Sequence, residues 1–172
     1  MRKLTRLFLV AALLIGCVGC DQITKVAARA HLSDGPAISF FHDAFRLVYA
    51  ENPGAFLSLG ASLSKPMRTA IFQGAVGLLV LGLITSALFW RGLDRIQVVA
   101  LALLGASGLG NLIDRVLYDG LVTDFLNLGI GSLRTGIFNV ADIVGVMGAV
   151  MLIAHRNANA PHNNRMQRSG SP

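Results

Sequence analysis

The chain carries nine acidic side chains, Asp21, Asp34, Asp43, Glu51, Asp94, Asp114, Asp119, Asp124 and Asp142. Four of them stand where carboxylates are costly. Asp142 lies within the apolar run "GIFNVADIVGVMGAVMLIA" (136–154), Asp114 closes another run in "GNLIDR", and Asp21 closes a third. Asp124 sits among apolar neighbours in "LVTDFLNL". An ionisable residue at the centre of a membrane span costs at least about 2.5–3.5 kcal/mol, so it usually has a specific task. Two carboxylates held together in low dielectric do not both ionise readily, and one of them keeps a proton. Such a pair can activate a water as base while protonating a carbonyl or leaving amine as acid. That is peptide hydrolysis without a metal or a covalent intermediate.

Each acid also has a plain structural reading. Asp114 precedes Arg115 and lies one helical turn after Asn111, so an ion pair and catalysis are equally open to it. Asp21 is placed either to cap the next segment or to pair with Lys25 at i+4. Asp124 taken alone reads as an ordinary loop acid. Asp142 is harder to dismiss, because a lone buried carboxylate is heavily penalised. Asn139, three residues earlier on the same helical face, is placed to orient it by hydrogen bonding.

Other chemistries fit less well. Zinc hydrolysis calls for closely spaced histidines, whereas His31, His42, His155 and His162 are scattered over loops and tail. Ser62-Leu63-Ser64-Lys65 has the spacing of serine acyl-enzymes but none of their supporting motifs. Cys17 and Cys20 have no histidine in reach and make neither a metal site nor a disulfide framework.

The elements that must position these acids are membrane spans. The composition is 53% hydrophobic and 14% charged, against about 45–50% and about 25% for soluble domains. The apolar residues are gathered into long blocks, as a bilayer requires. The net charge of +6 collects at the termini and block edges with no interleaved aromatic residues, which excludes a nucleic-acid surface. Four blocks approach the roughly 20 residues a spanning helix needs: 4–20, 67–90, 96–113 and 136–154. In the first, Arg6 is placed to snorkel toward the headgroups. Trp90, an interfacial residue type, closes the second. The third and fourth are rich in Gly, Ala and Ser, which permit close helix packing in lipid.

The fifteen Lys and Arg residues divide almost evenly between the two sides. Their density in short segments, Arg2-Lys3 and the turn "RGLDR", places both termini in the cytoplasm. In that topology Asp21, Asp114, Asp124 and Asp142 all fall toward the outer leaflet. The extracytoplasmic loop 21–66 contains "AISFFHDAFRLVYAENPGAF", β-prone residues around an Asn-Pro-Gly turn, which predicts a small sheet lying on the membrane. Residues 119–135 are too short and polar to span and are expected to form a short interfacial helix. The tail 157–172, rich in Asn, Pro and Ser, is expected to be disordered.

The run ending in "LIGC" (14–17) also resembles the cut site of a lipoprotein signal peptide. Such a signal precedes a soluble mature protein, yet three more apolar spans follow here. A helix retained in the bundle is the reading adopted.

Taken together the motifs resemble those of the lipoprotein signal peptidases, signal peptidase II, which are intramembrane aspartic peptidases of bacteria. "DQITK" (21–25) looks like the first signature, and "ENPGAF" (51–56) is similar to the Asn-x-Gly-Ala loop. "GNLIDR" (110–115), "VTDF" (122–125) and "FNVAD" (138–142) resemble the remaining three blocks. Any one is weak; five in order across four spans are specific. The resemblance runs from about residue 4 to residue 155. It implies an all-α membrane fold of four transmembrane helices with an extracytoplasmic β-cradle and a short periplasmic helix. The family's catalytic pair maps onto Asp124 and Asp142, a choice of Asp124 over Asp114 that spacing alone does not make. Asn111, Asp114, Arg115 and Asn139 map onto residues that shape the site, Asp21, Asn52 and Gly54 onto its substrate side, and Lys25 onto a residue that shapes the site or binds substrate.

The implied activity is cleavage of a diacylglyceryl-modified prolipoprotein just before its lipidated Cys, in the bacterial inner membrane. No metal or organic cofactor is implied. The expected partners are that substrate and membrane lipids, with the enzyme a monomer. Two departures bear on loop geometry. The stretch "VLYDGL" between two of the blocks adds Asp119, and the first-loop motif reads Gly-Ala-Phe where a second Ala often precedes Phe. The competing readings are a small proton-coupled transporter, in which acids relay protons across the membrane, and a membrane anchor without catalysis.

Overall fold

The structure, a computed structural model, describes residues 1–54, 60 and 62–158. Four helices are long and apolar enough to cross a membrane: α1 (Lys3–Leu32), α2 (Lys65–Phe89), α3 (Arg95–Leu117) and α4 (Val140–Ala158). A four-stranded sheet is built from β1 (Ile38–Phe40), β2 (Phe45–Asn52), β3 (Val122–Ile130) and β4 (Leu133–Arg134), in that spatial order. All three pairings are antiparallel.

Helix α1 does not stop near residue 20 as its apolar block suggests. It continues for 30 residues, about 45 Å at 1.5 Å per residue, well beyond the roughly 30 Å hydrocarbon core. Asp21 and Lys25 therefore sit in its C-terminal half rather than beyond its end. They are tolerated there because both are buried against other helices. Ala28 and Leu32, still further along, pack with Phe125 and seat the sheet on the end of α1. Arg6 also departs from expectation. Instead of reaching for headgroups it donates to the carbonyls of Ser86, Ala87 and Trp90 at 3.0, 2.5 and 2.8 Å. It thus adds donors at the C-terminal end of α2, where backbone carbonyls run out of intrahelical partners. Of the three, only the Ser86 carbonyl also accepts from the Trp90 N–H.

Residues 119–135 form strands β3 and β4, not a helix, and among the described residues no short helix stands apart from the four spans. The alternation of Thr123, Phe125 and Asn127 with Val122, Asp124 and Leu126 has a period of two, and both faces are covered through Phe125. Strand β2 ends at Asn52, and the reversal before it lies at Phe41–Asp43 rather than at Asn52-Pro53-Gly54. Phe41, His42 and Asp43 hold φ of 51°, 53° and 71°. The Asp43 carboxylate ties that turn to Ser39, Arg46 and Arg134. The tail beyond Ala158 lies outside the described residues, and α4 runs further than the apolar block indicated.

Small residues bring α3 against its neighbours. A Cβ on Gly148 of α4 would lie 2.9 Å from the carbonyl oxygen of Ala100, and one on Gly145 would lie 2.5 Å from the Ser107 hydroxyl. On α3 itself, Gly105 and Gly108 receive Ile84 and Val80 from α2 in the same way. The bundle core follows these approaches: Val10, Ala87, Val98 and Ala102 form one cluster, and Leu103, Ala106 and Val144 another. Cys17 packs on the second cluster, with Leu13, Leu14 and Val18. The "LIGC" run is an integral part of the bundle.

Candidate active site

Strand pairing and helix capping together build the polar site. In the β2–β3 ladder Asn52 faces Val122 and Ala50 faces Asp124. Asn52 and Asp124 are thus diagonal neighbours on one face of the sheet. The Nδ2 of Asn52 donates to Oδ2 of Asp124 at 2.9 Å. Its Oδ1 accepts from the backbone N–H of Gly54 at 2.9 Å, which folds the chain back after β2.

Asn139 is not on the helix, as its spacing from Asp142 suggests; it is the residue just before α4. Its Oδ1 accepts from the backbone N–H of Asp142 at 3.0 Å, and its own backbone N–H donates to Oδ2 of Asp142 at 3.2 Å. This reciprocal pair satisfies donors left over at a helix start. Asp142 consequently lies in the first turn of α4, close to the positive end of the helix dipole, rather than deep in the span.

The same Asn139 reaches the other acid. Its Nδ2 donates to Oδ1 of Asp124 at 2.6 Å. Oδ1 of Asp142 accepts from Nδ2 of Asn111 at 3.1 Å. All four oxygens of the two carboxylates therefore receive one N–H each, which leaves each with further lone-pair capacity. Asn52, Asn111, Arg115, Val122, Asp124, Asn139 and Asp142 line one cleft of ≈ 20 Å³, enough for a single water. Asp124 is 2% exposed. Burial pushes its carboxyl up to about 6, against hydrogen bonds from Asn52 and Asn139 that favour the charged form, and the nearby charge of Asp142 adds to the rise.

The remaining residues singled out from the sequence brace this cleft. Arg115 does not pair with Asp114. It donates to the carbonyl of Gly54 at 2.7 Å and to that of Asn111 at 3.1 Å, joining the end of the first loop to α3. Asp114 instead turns toward α1 and β3. It lies 3.4 Å from Lys25 and 3.1 Å from Arg29, and it accepts from the backbone N–H of Thr123 at 2.9 Å. Asp21 pairs with Lys25 at 2.8 Å and accepts from the backbone N–H of Ala141 at 2.8 Å. Asp119, by contrast, is exposed and pairs with Lys65 at 2.6 Å.

Sequence reasoning missed three contributors. Arg29 stacks 3.5 Å over the Tyr118 ring besides meeting Asp114. Gln22 bridges Asp21, Asp114 and the Gly110 carbonyl. At Gly110 itself a Cβ would lie 2.7 Å from Oδ2 of Asp21. The i, i+4 spacing of Asp21, Lys25 and Arg29 was the available signal, since it sets all three on one helical face.

A second, apolar groove of ≈ 600 Å³ adjoins the cleft. It is lined by residues that include Leu126, Leu128, Phe138, Ile143, Val146 and Met147, with Asp142 at its edge. Asp142 is common to both cavities. Among the described residues no cluster of His, Cys, Asp or Glu is grouped to hold a metal.

Four spans, a sheet at one end of the bundle and a carboxylate pair in a polar cleft define a multi-pass membrane protein with a site suited to hydrolysis. The family model for signal peptidase (SPase) II matches residues 13–157, and the chain belongs to that family of peptidases. Curated relatives named lipoprotein signal peptidase include one from Bifidobacterium longum, 34% identical over 88% of this chain and 80% of its own length. Another, from Desulforapulum autotrophicum, is 33% identical over 90% and 93%. One from Moorella thermoacetica is 36% identical over 84% and 89%. Two solved structures, each described as a bacterial membrane enzyme, share the fold. One has a TM-score of 0.73 at 24% identity, covering 97% of this chain and 94% of its own. The other has a TM-score of 0.68 at 26% identity, covering 88% and 91%.

Proposed function

We propose that this peptidase removes the signal peptide of diacylglyceryl-modified prolipoproteins by cutting just before the lipidated Cys, with Asp124 and Asp142 as its catalytic pair. The observation that carries the reading is the double use of Asn139, whose side chain holds Asp124 and whose backbone holds Asp142 beside one water-sized cleft.

The pair shares one proton, so its titration belongs to both residues. The ionised member takes a proton from water as the water oxygen attacks the scissile carbonyl carbon. The protonated member gives its proton to the carbonyl oxygen, forming a neutral gem-diol. As that intermediate collapses, the C–N bond breaks and the leaving nitrogen takes a proton from one member of the pair. A gem-diol hydroxyl gives its proton to the other as the C=O bond reforms, which restores the single shared proton. The positive end of α4 and the guanidinium of Arg115 stabilise charge that develops between these steps.

A diacylated substrate stays in the bilayer, so acids and water must be brought to it. The apolar groove beside Asp142 takes the acyl chains, leaving the scissile bond at the cleft. Both termini lie in the cytoplasm, which sets the sheet and the pair at the outer leaflet, and the enzyme acts as a monomer. Replacement of Asp124 or Asp142 by Asn tests the reading on a diacylglyceryl-modified prolipoprotein. Cleavage is expected to fall by about 10²- to 10⁴-fold in each. Normal cleavage by either variant ends the proposal.

A further inference from the structure

Lys25 is the largest fully buried side chain in the described molecule, at 0% exposed, and the hydrolytic steps do not use it. A buried ammonium is retained only where its charge is balanced and its donors are satisfied. Its balance comes from Asp21 at 2.8 Å and Asp114 at 3.4 Å. Arg29 shares Asp114 at 3.1 Å, so the cluster holds two acids against two bases. The third contact is neutral: Nζ donates to Oδ1 of Asn111 at 2.9 Å.

That contact has a consequence at the catalytic pair. An asparagine amide can face either way, and its partners decide which. Lysine has donors only, so the side of Asn111 facing Lys25 must be its oxygen. The Nδ2 of Asn139 donates to the same oxygen at 3.0 Å. With both donors on Oδ1, the Nδ2 of Asn111 is directed at Oδ1 of Asp142, 3.1 Å away. Reversing the amide would set its N–H₂ against Lys25 and Asn139 and its oxygen against the Asp142 carboxylate. Lys25 does not line the cleft, whereas Asn111 does.

We infer that Lys25 is a positioning residue for peptide hydrolysis, acting through Asn111 to hold the Asp142 carboxylate in its reactive orientation. This rests on the assignment of Asp142 to the catalytic pair. Asp21 completes the device from the same helix by accepting from the backbone N–H of Ala141, next to Asp142. The network thereby connects α1, α3 and the first turn of α4.

Lys25→Met alone leaves two carboxylates facing one guanidinium and is prone to misfold, so the informative variant is the charge-balanced Asp21→Asn/Lys25→Met. Removing both members of a buried pair is far less damaging than removing one. In that variant kcat is expected to fall about tenfold to a hundredfold, with KM within about twofold of wild type. Asn111→Ala is compared alone and combined with the double change. Action through Asn111 makes the losses non-additive, so the triple variant should be no more than about threefold slower than Asn111→Ala. Wild-type kcat in the folded double variant, or losses that multiply in the triple variant, would overturn the inference. Asp142→Asn run in parallel separates the two ideas. If it cleaves normally, the catalytic assignment fails; if it is inactive while the double variant is unimpaired, only the role of Lys25 is lost.

Discussion

The Nδ2 of Asn139 lies 2.6 Å from Oδ1 of Asp124, and this bond joins a strand to a helix. Asn139 is the cap of α4, held there by its bonds with Asp142. A residue that starts the helix therefore sets the distance between an acid on β3 and an acid on the first turn of α4. Capping and the bond to Asp124 use different atoms of Asn139, so they can be separated by mutation.

Asn139→Ser keeps a capping oxygen but loses the donor to Asp124, while Asn139→Ala loses both. Serine is expected to exceed alanine in stability by about 1 kcal/mol. Both are expected to cleave about a hundredfold more slowly than wild type. Unfolding in detergent and prolipoprotein cleavage give the two readouts. If activity tracks stability across the pair, Asn139 serves only as a cap.

The buried Asp124 carboxyl sits at about 6 instead of its ordinary 3.8, with burial as the main cause. Between those values the folded chain keeps a proton that the unfolded chain has released. Its contribution to stability therefore falls as pH rises through that window and levels off above it. Asp124→Asn removes this slope. The melting temperature of the variant relative to wild type should climb from about pH 4 to about pH 6 and then stay flat. Cleavage by wild type, which needs one proton shared across the proposed pair, is expected to decline once falling pH protonates both carboxyls. A constant difference in melting temperature from acid to neutral pH would show an ordinary carboxyl at this position.

Close approach of α3 and α4 is expected to be the most mutation-sensitive packing in the bundle. Gly148→Ala forces a Cβ to within 2.9 Å of the backbone oxygen of Ala100, a contact relieved only by moving a helix. A loss of about 1–3 kcal/mol follows from such overpacking. Gly16→Ala on α1 meets nothing within 4 Å and should be neutral or slightly stabilising. Thermal unfolding of both in one detergent checks the contrast, and equal effects would count against the packing argument.

Arg6 joins the beginning of α1 to the end of α2 through three carbonyls. Arg6→Met keeps much of the apolar stem and removes every donor. Unfolding free energy should drop by about 1–3 kcal/mol, with cleavage at permissive temperature unchanged, because the contact is remote from the cleft. Unaltered stability in Arg6→Met would mean that the carbonyls of Ser86, Ala87 and Trp90 find water instead.

Spans and their number were legible in the residues alone. Apolar block length is a direct readout of bilayer thickness, and a carboxylate in such a block stands out because lipid makes it expensive. The family motifs then separated Asp124 from Asp114. Three things needed the tertiary structure. Residues 119–135 read as an interfacial helix but became β3, because β2 offers them a partner 70 residues away in the chain, which local pattern cannot register. Helix α1 outran its apolar block because Asp21 and Lys25, polar in the sequence, neutralise each other, and Lys25 also meets Asp114 and Asn111 from α3. Asp114 itself bypassed the adjacent Arg115 for Lys25 and Arg29. Sequence neighbours on a helix point in different directions, whereas buried charges pair with whatever the packing of separate helices sets within reach.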